Sequence, residues 1–315
     1  MGNIVSGKSL QLVDAGLLSP TATLEPIATG FTYTEGPVWD PSSESLLFHD
    51  IVGNVRYRWH ASHGAVVDMT PTDYSNGMTL DREGRLVICQ SGTSKVVRRE
   101  RDGELISLAS HFQGKELNSP NDVVLRSNGD IYFTDPAYGR IPVYGIDRAQ
   151  ELSFQGIYRI VEGAAEPELL SDELVQPNGL AFSPDESALY VADSETGELS
   201  MFDVGPNGRL SGRRVFFDEA GVPLPFELVV RNELLSGYLD GLKCDEQGNI
   251  YQTGRGGVWV ISPAGEALGV LELPEDVANL TWGDADFRTL YLACRSTVYR
   301  IRMNVGGNRA FGAND

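Results

Sequence analysis

Little in this chain invites covalent or transition-metal chemistry. Its 315 residues hold three cysteines and four histidines. Cys89, Cys244 and Cys294 stand far apart in apolar, strand-like runs, and no CxxC pair occurs. Small buried thiols are expected, not a disulfide framework or a zinc site. No Gly-x-Ser-x-Gly elbow is present, so a serine-hydrolase triad has no nucleophile to start from. No apolar run approaches the roughly 18 residues that a membrane-spanning helix needs. Positive charge is scarce: 25 Lys and Arg face 44 Asp and Glu, a formal net charge of -19. That balance excludes a nucleic-acid partner and attraction to acidic lipid. The start of the chain lacks a basic segment followed by an apolar core. No secretory signal is read, and a cytoplasmic location is expected. Met1-Gly-Asn-Ile-Val-Ser6 fits the loose pattern for N-myristoylation, which is not favoured because the pattern is short.

What the chain has in abundance is repetition. Asn121 to Asp135 reads as two short strands around a tight turn. Val123 and Leu125 alternate in the first strand, Ile131 and Phe133 in the second, and Ser127-Asn-Gly-Asp130 supplies the turn. The same layout begins at Asn76, Asn178 and Asp240, and in looser form at Glu35 and Asn279. The intervals between these polar starters are 41, 45, 57, 62 and 39 residues. A lone hairpin cannot bury both faces, whereas a radial array of them can. Intervals of this size suit four-stranded blades. The expected fold is therefore all-β, a six-bladed β-propeller, which leaves only short, protected sheet edges.

The expected domain plan is a lead-in over 1–21, a single propeller over 22–304 and a tail over 305–315. Residues 22–28 read as a strand, and in a closed ring one end of the chain completes the last blade. The tail from Gly306 is expected to fray. Of two insertions, 138–151 is a candidate to rim the channel, and 221–238, just before Asp240, is expected to pack near the site. His49 reads as a satisfied strand-end histidine.

In a propeller the starters fall near one end of the channel, where two carboxylates and four amides would converge. Glu35 and Asp240 would repel each other there unless a cation lies between them. Carboxylate and amide oxygens are hard ligands and suit Ca²⁺ or a similar divalent ion. Few protein ligands leave positions open, as in a catalytic metal site. Starter asparagines also serve turns locally, and for Asn76 and Asn279 both roles stay open. Asp122 reads as an orienting neighbour of Asn121.

Several stretches together resemble one family. They are Thr34-Glu-Gly-Pro-Val-Trp39, Leu117-Asn-Ser-Pro-Asn-Asp122, Ile131-Tyr-Phe-Thr-Asp-Pro136, Pro177-Asn-Gly-Leu-Ala-Phe-Ser-Pro-Asp185 and Asp240-Gly-Leu242. Their order and spacing are similar to those of the gluconolactonase-like group that includes senescence marker protein 30 (regucalcin). The resemblance implies a six-bladed propeller with one divalent ion in its channel, held by Glu35, Asn178 and Asp240. Asn121 joins that shell or meets the substrate, and Asp240 is the candidate for activating water. The implied cofactor is Ca²⁺, with Zn²⁺, Mn²⁺ or Fe²⁺ as alternatives. The implied reaction is metal-dependent hydrolysis of a small-molecule sugar lactone to the open aldonic acid. The alternatives are organophosphate or phosphotriester hydrolysis in the same site, and a non-catalytic calcium-binding propeller. The expected assembly is a monomer or a homodimer. Three positions depart from the family pattern. Ser119 stands where senescence marker protein 30 has an Arg, Trp282-Gly-Asp284 replaces Phe-Gly-Gly, and Leu239 replaces the Pro of Pro-Asp-Gly.

Overall fold

A computed structural model of the protein describes residues 9–221 and 238–309. The Met1–Ser6 pattern, most of the 221–238 insertion and the end of the tail lie outside these described residues. The described residues form six four-stranded antiparallel sheets in succession, with a two-stranded ribbon, His111–Phe112 and Lys115–Glu116, between the second and third. Blade 1 comprises Thr34–Asp40, Ser45–Asp50, Val55–His60 and Gly64–Met69, from the innermost strand outward. Blade 2 follows with Ser75–Leu80, Leu86–Gln90, Lys95–Arg99 and Leu105–Ala109. Blade 3 is Val123–Leu125, Ile131–Asp135, Gly156–Ile160 and Glu168–Ser171. Blade 4 is Pro177–Phe182, Ala188–Asp193, Glu198–Val204 and Leu210–Asp218. Blade 5 is Leu242–Cys244, Ile250–Gly254, Gly257–Ile261 and Ala267–Glu272. Blade 6 uses Val277–Gly283, Thr289–Cys294 and Thr297–Arg302. Its outermost strand is Glu25–Thr29, brought from the other end of the chain to pair with Thr297–Arg302. The ring is thus a six-bladed β-propeller, closed by hydrogen bonds between the two ends of the fold.

Why the blades stack follows from the strand alternation. Each sheet buries both faces, and six apolar clusters fill the six gaps between neighbouring blades. Val38 and Leu47 of blade 1 meet Met78, Ile88 and Val97 of blade 2. Trp39 and Phe48 meet Tyr291 and Val298 across the closing gap. Each fully buried side chain of this size contributes about 1.5–3 kcal/mol relative to exposure. The three cysteines are free and buried within strands, as their apolar settings predict.

The lead-in packs on this ring. A short helix, Ser9–Asp14, drops Leu12 into the cluster between blades 5 and 6, together with Leu17 and Leu18. Ser9 Oγ donates to Val270 O at 3.0 Å. The start of the tail is seated where fraying is expected. Asn308 N donates to Cys244 O and Gly307 N to Phe287 O, both at 2.9 Å. Gly307 lies so close to the Trp282 indole that a Cβ would fall 2.0 Å from its ring. No helix among the described residues is long and apolar enough to cross a membrane.

Candidate active site at the channel mouth

All six starters stand at the N-terminal ends of the innermost strands. In blades 1, 2, 4 and 6 the pairing register with the second strand slips at the starter. Such a bulge twists the strand and re-aims one side chain. In blades 3 and 5 the innermost strand begins after the starter. A threonine of the second strand holds the main chain instead. Asn121 N donates to Thr134 O at 2.9 Å, and Asp240 N to Thr253 Oγ1 at 3.1 Å.

The residue after the starter sets how closely the blades approach. A Cβ on Gly36 would lie 1.9 Å from Asn76 O of the next blade, and one on Gly241 would lie 2.1 Å from the Asn279 side chain. Gly77 and Gly179 pack equally tightly against Asn121 O and Asp240 O. At these four joints only a residue without a side chain lets the blades approach so closely. The ring of contacts continues through side chains. Asn279 Nδ2 donates to Glu35 Oε2 at 3.0 Å, and Gly36 N donates to the same oxygen at 2.6 Å. Asn76 O meets His49 Nδ1 at 2.8 Å.

The sequence-selected residues therefore come together in part by direct bonds and in part by field. Glu35, Asn121 and Asn178 are buried, and Asp240 is half-buried. Asn178 Nδ2 donates to Ser194 Oγ at 3.0 Å, and the Asn178 side chain also bonds the Asp240 carboxylate. Asn121 is fixed through its main chain, with its carbonyl accepting from Gly77 N at 2.7 Å. Burial pushes the Glu35 carboxyl up to about 7, with the nearby Asp122 charge adding to the rise. Asp240 is pushed well above the usual carboxylate range by burial, then by Glu35 and Asp122. Asp122 Oδ1 accepts from Val123 N at 2.9 Å, while its buried Oδ2 has no hydrogen-bond partner. Asn76 and Asn279 divide: the first offers its carbonyl to His49, the second its amide to Glu35. His49 is satisfied at Nδ1 alone. Its buried Nε2 has no partner, which corrects the expectation of a fully satisfied ring.

Several side chains at this mouth carry no signal in the repeat. Tyr33 lies in the field of both Asp240 and Glu35, and burial with those charges raises its phenol well above the usual value. Tyr138 bonds the Ser194 side chain, and burial pushes its phenol to about 12. Tyr144 packs edge-on against Tyr33, centroids 5.8 Å apart. Both Tyr138 and Tyr144 come from the 138–151 insertion, which therefore does rim the mouth. Arg140 and Arg148 pin that insertion to Glu116, with Arg140 also donating to Asn118 O at 2.7 Å. Lys243 reaches the same region from the innermost strand of blade 5. Among the described residues no three His, Cys, Asp or Glu form a group able to hold a metal by themselves. The oxygens here are two carboxylates mixed with amides.

A hollow lies at the other mouth. It has a volume of about 680 Å³ and is lined by Trp39, Met78, Leu125, Phe182, Lys243 and Trp282, among others. These residues sit further along the same innermost strands, and none of the six starters lines it. The converging polar groups are at the starter end instead.

Residues 33–296 match the family model for the SMP-30/Gluconolactonase/LRE-like region. The chain belongs to this family. The gluconolactonase of Zymomonas mobilis subsp. mobilis (strain ATCC 31821 / ZM4 / CP4) is 28% identical over 309 residues, covering 92% of this chain and 84% of that protein. A crystal structure of a candidate gluconolactonase superposes with a TM-score of 0.84 at 31% identity, covering 94% of this chain and 97% of that one. A gluconolactonase from Xanthomonas campestris gives 0.82 at 30% identity, covering 95% and 93%.

Proposed function

We propose that this member of the family hydrolyses a small sugar lactone to the open aldonic acid. One observation carries the reading. Glu35 and Asp240, far apart in sequence, share one buried channel mouth with Asn178 in a chain whose near relatives are gluconolactonases. Burial raises both carboxyls, Asp122 adds to each, and Glu35 adds to Asp240. That charge fits a divalent cation, and Glu35, Asn178, Asp240 and Asn121 are the residues that would hold it. The all-oxygen set favours Ca²⁺ over Zn²⁺, Mn²⁺ or Fe²⁺. When bound, such an ion supplies Lewis-acid polarisation of a carbonyl oxygen.

The protein's own groups do the rest. Asp240 in its carboxylate form accepts a proton from water as the water oxygen attacks the lactone carbonyl carbon. The Asn121 amide donates toward the developing oxyanion. Asn279 and Gly36 N hold Glu35 in one orientation. The carbonyl-to-ring-oxygen bond breaks, the ring oxygen takes the proton, and a hydroxy acid leaves. Tyr33 and Tyr144 narrow the entrance and limit bulk water. The test is a panel of lactones and phosphotriesters offered to chelated protein, with Ca²⁺, Zn²⁺, Mn²⁺ or Fe²⁺ added back. Lactone turnover restored by one ion is expected. Turnover of phosphotriesters alone, or ion binding without turnover of either class, overturns the reading.

A further inference from the structure

Lys243 occupies the waist of the channel. It lies on Leu242–Cys244, three residues beyond Asp240, and lines the funnel from the opposite side. Its ammonium donates to Leu242 O at 3.0 Å and to Asn279 Oδ1 at 3.4 Å. It stands 3.8 Å from Asp122 Oδ2, the buried carboxylate oxygen that lacks a hydrogen-bond partner. Asn279 in turn donates its Nδ2 to Glu35. A chain of polarity therefore runs from the ammonium through one amide to the starter carboxylate. Leu280 N donates to the same Asn279 Oδ1 at 2.9 Å, and Lys243 adds to that bond in keeping the Nδ2 end of the amide toward Glu35. The same ammonium lowers the proton affinity of both Glu35 and Asp240.

We propose that Lys243 is the resident counter-cation of this channel, a positioning residue that holds Asn279 and Asp122 and opposes a divalent ion at the mouth. Without such an ion, Glu35 and Asp240 also feel the charge of Asp122, and a nearby ammonium is what offsets the three. With the ion bound, the ammonium becomes a like charge close by. The same side chain thus stabilises the metal-free fold and weakens metal binding. The ion half of this proposal rests on the cation reading above; the metal-free half does not.

The test compares wild type, Lys243→Met and Lys243→Arg, using thermal unfolding in chelator and Ca²⁺ titration by calorimetry. Lys243→Met is expected to lower the melting temperature in chelator and to tighten Ca²⁺ binding roughly tenfold, because a like charge has gone. Lys243→Arg keeps the charge and is expected to stay within about threefold of wild type. Should Lys243→Met fold poorly, the double variant Asp122→Asn/Lys243→Met removes one charge of each sign. It is expected to recover part of the lost metal-free stability. An unchanged melting temperature in chelator for Lys243→Met, or Ca²⁺ binding weaker than wild type, overturns the proposal. If no divalent ion binds any of the proteins, the ion half falls with the cation reading, and the chelator melting curves decide the rest.

Discussion

The same six innermost strands build both mouths of the channel, yet the two ends are unlike. The starter end gathers Glu35, Asp240 and four asparagines into a ring that is buried except at half-buried Asp240. The far end opens into the funnel, where Trp39, Leu80, Phe182 and Trp282 line the walls beside turn residues such as Asp185 and Ser127. At the first end, side chains are fixed by bulges and by the next blade's main chain. At the second, hairpin turns carry their own local bonds, as Ser183 Oγ does with Asp185 Oδ1 at 2.6 Å. The concentration of converging polar groups therefore differs sharply between the two ends of one axis. The proposed chemistry belongs to the polar end.

The largest expected difference between the ends is in turnover. Asp240→Asn removes the group assigned to accept the proton, and a fall of about 10³-fold in kcat/KM on a lactone is expected. Ser127→Ala, in the funnel lining, is expected to stay within about twofold, as surface changes there remove little. Steady-state kinetics on both variants check this. Comparable losses at the two ends would dissolve the contrast.

Much of the contrast is legible in the order of residues alone. A polar residue opening each hairpin is a signal that period-2 alternation cannot explain away, so the starters and the blade number follow from the sequence. What stays hidden there depends on contacts between blades. Lys243 reads as an ordinary polar position of an alternating strand, and only the closed ring turns it toward Asn279 and Asp122. Tyr33 and Tyr144 lie over a hundred residues apart and meet through the folded insertion. Gly307 gives no packing signal at all, because its role is the absence of a side chain against Trp282. The glycines after the starters are visible in the repeat, but their reason is the neighbouring blade.

Those glycines give the next contrast. A Cβ on Gly241 would overlap the Asn279 side chain, whereas one on Gly84, in a turn at the far end, meets nothing within 4 Å. Gly241→Ala forces Asn279 off Glu35 and is expected to cost about 3 kcal/mol and most of the activity. Gly84→Ala suffers only from its positive φ of 73°, a cost of about 1 kcal/mol. Denaturant melts rank the two. A milder effect for Gly241→Ala would mean that the starters tolerate wider spacing.

Acid sensitivity is expected to concentrate at the starter end. His49 pairs with Glu35 across the first two strands of blade 1, and burial holds its imidazole down at about 3 against an ordinary 6.5. The folded-state value lies below the unfolded one, so between these limits the unfolded chain binds the proton first. Stability is full above pH 6.5 and is lost as pH falls toward 3, by at most about 1.4 kcal/mol per pH unit from this group. His49→Gln cannot take up that proton. Its stability is expected to change less steeply over the same window, measured by urea melts at fixed pH. An unchanged slope would assign the acid lability to the carboxylates instead.

The smallest effect belongs to the rim. Tyr144 is 38% exposed and leans edge-on against Tyr33, which itself stands over the two carboxylates. An edge-to-face ring pair contributes about 0.5–1.5 kcal/mol beyond area burial. Removing one ring therefore loosens the entrance without touching the acid–base groups. Tyr144→Ala is expected to raise KM for a lactone about fivefold and to leave kcat within about twofold. Tyr144→Phe keeps the ring contact and is expected to resemble wild type in both. Phe182 lines the funnel end, away from the starter ring. Phe182→Leu should therefore leave KM unchanged while costing about 1 kcal/mol of packing. A kcat loss in Tyr144→Ala would place this insertion in the reaction itself, and the rim would no longer be only a border.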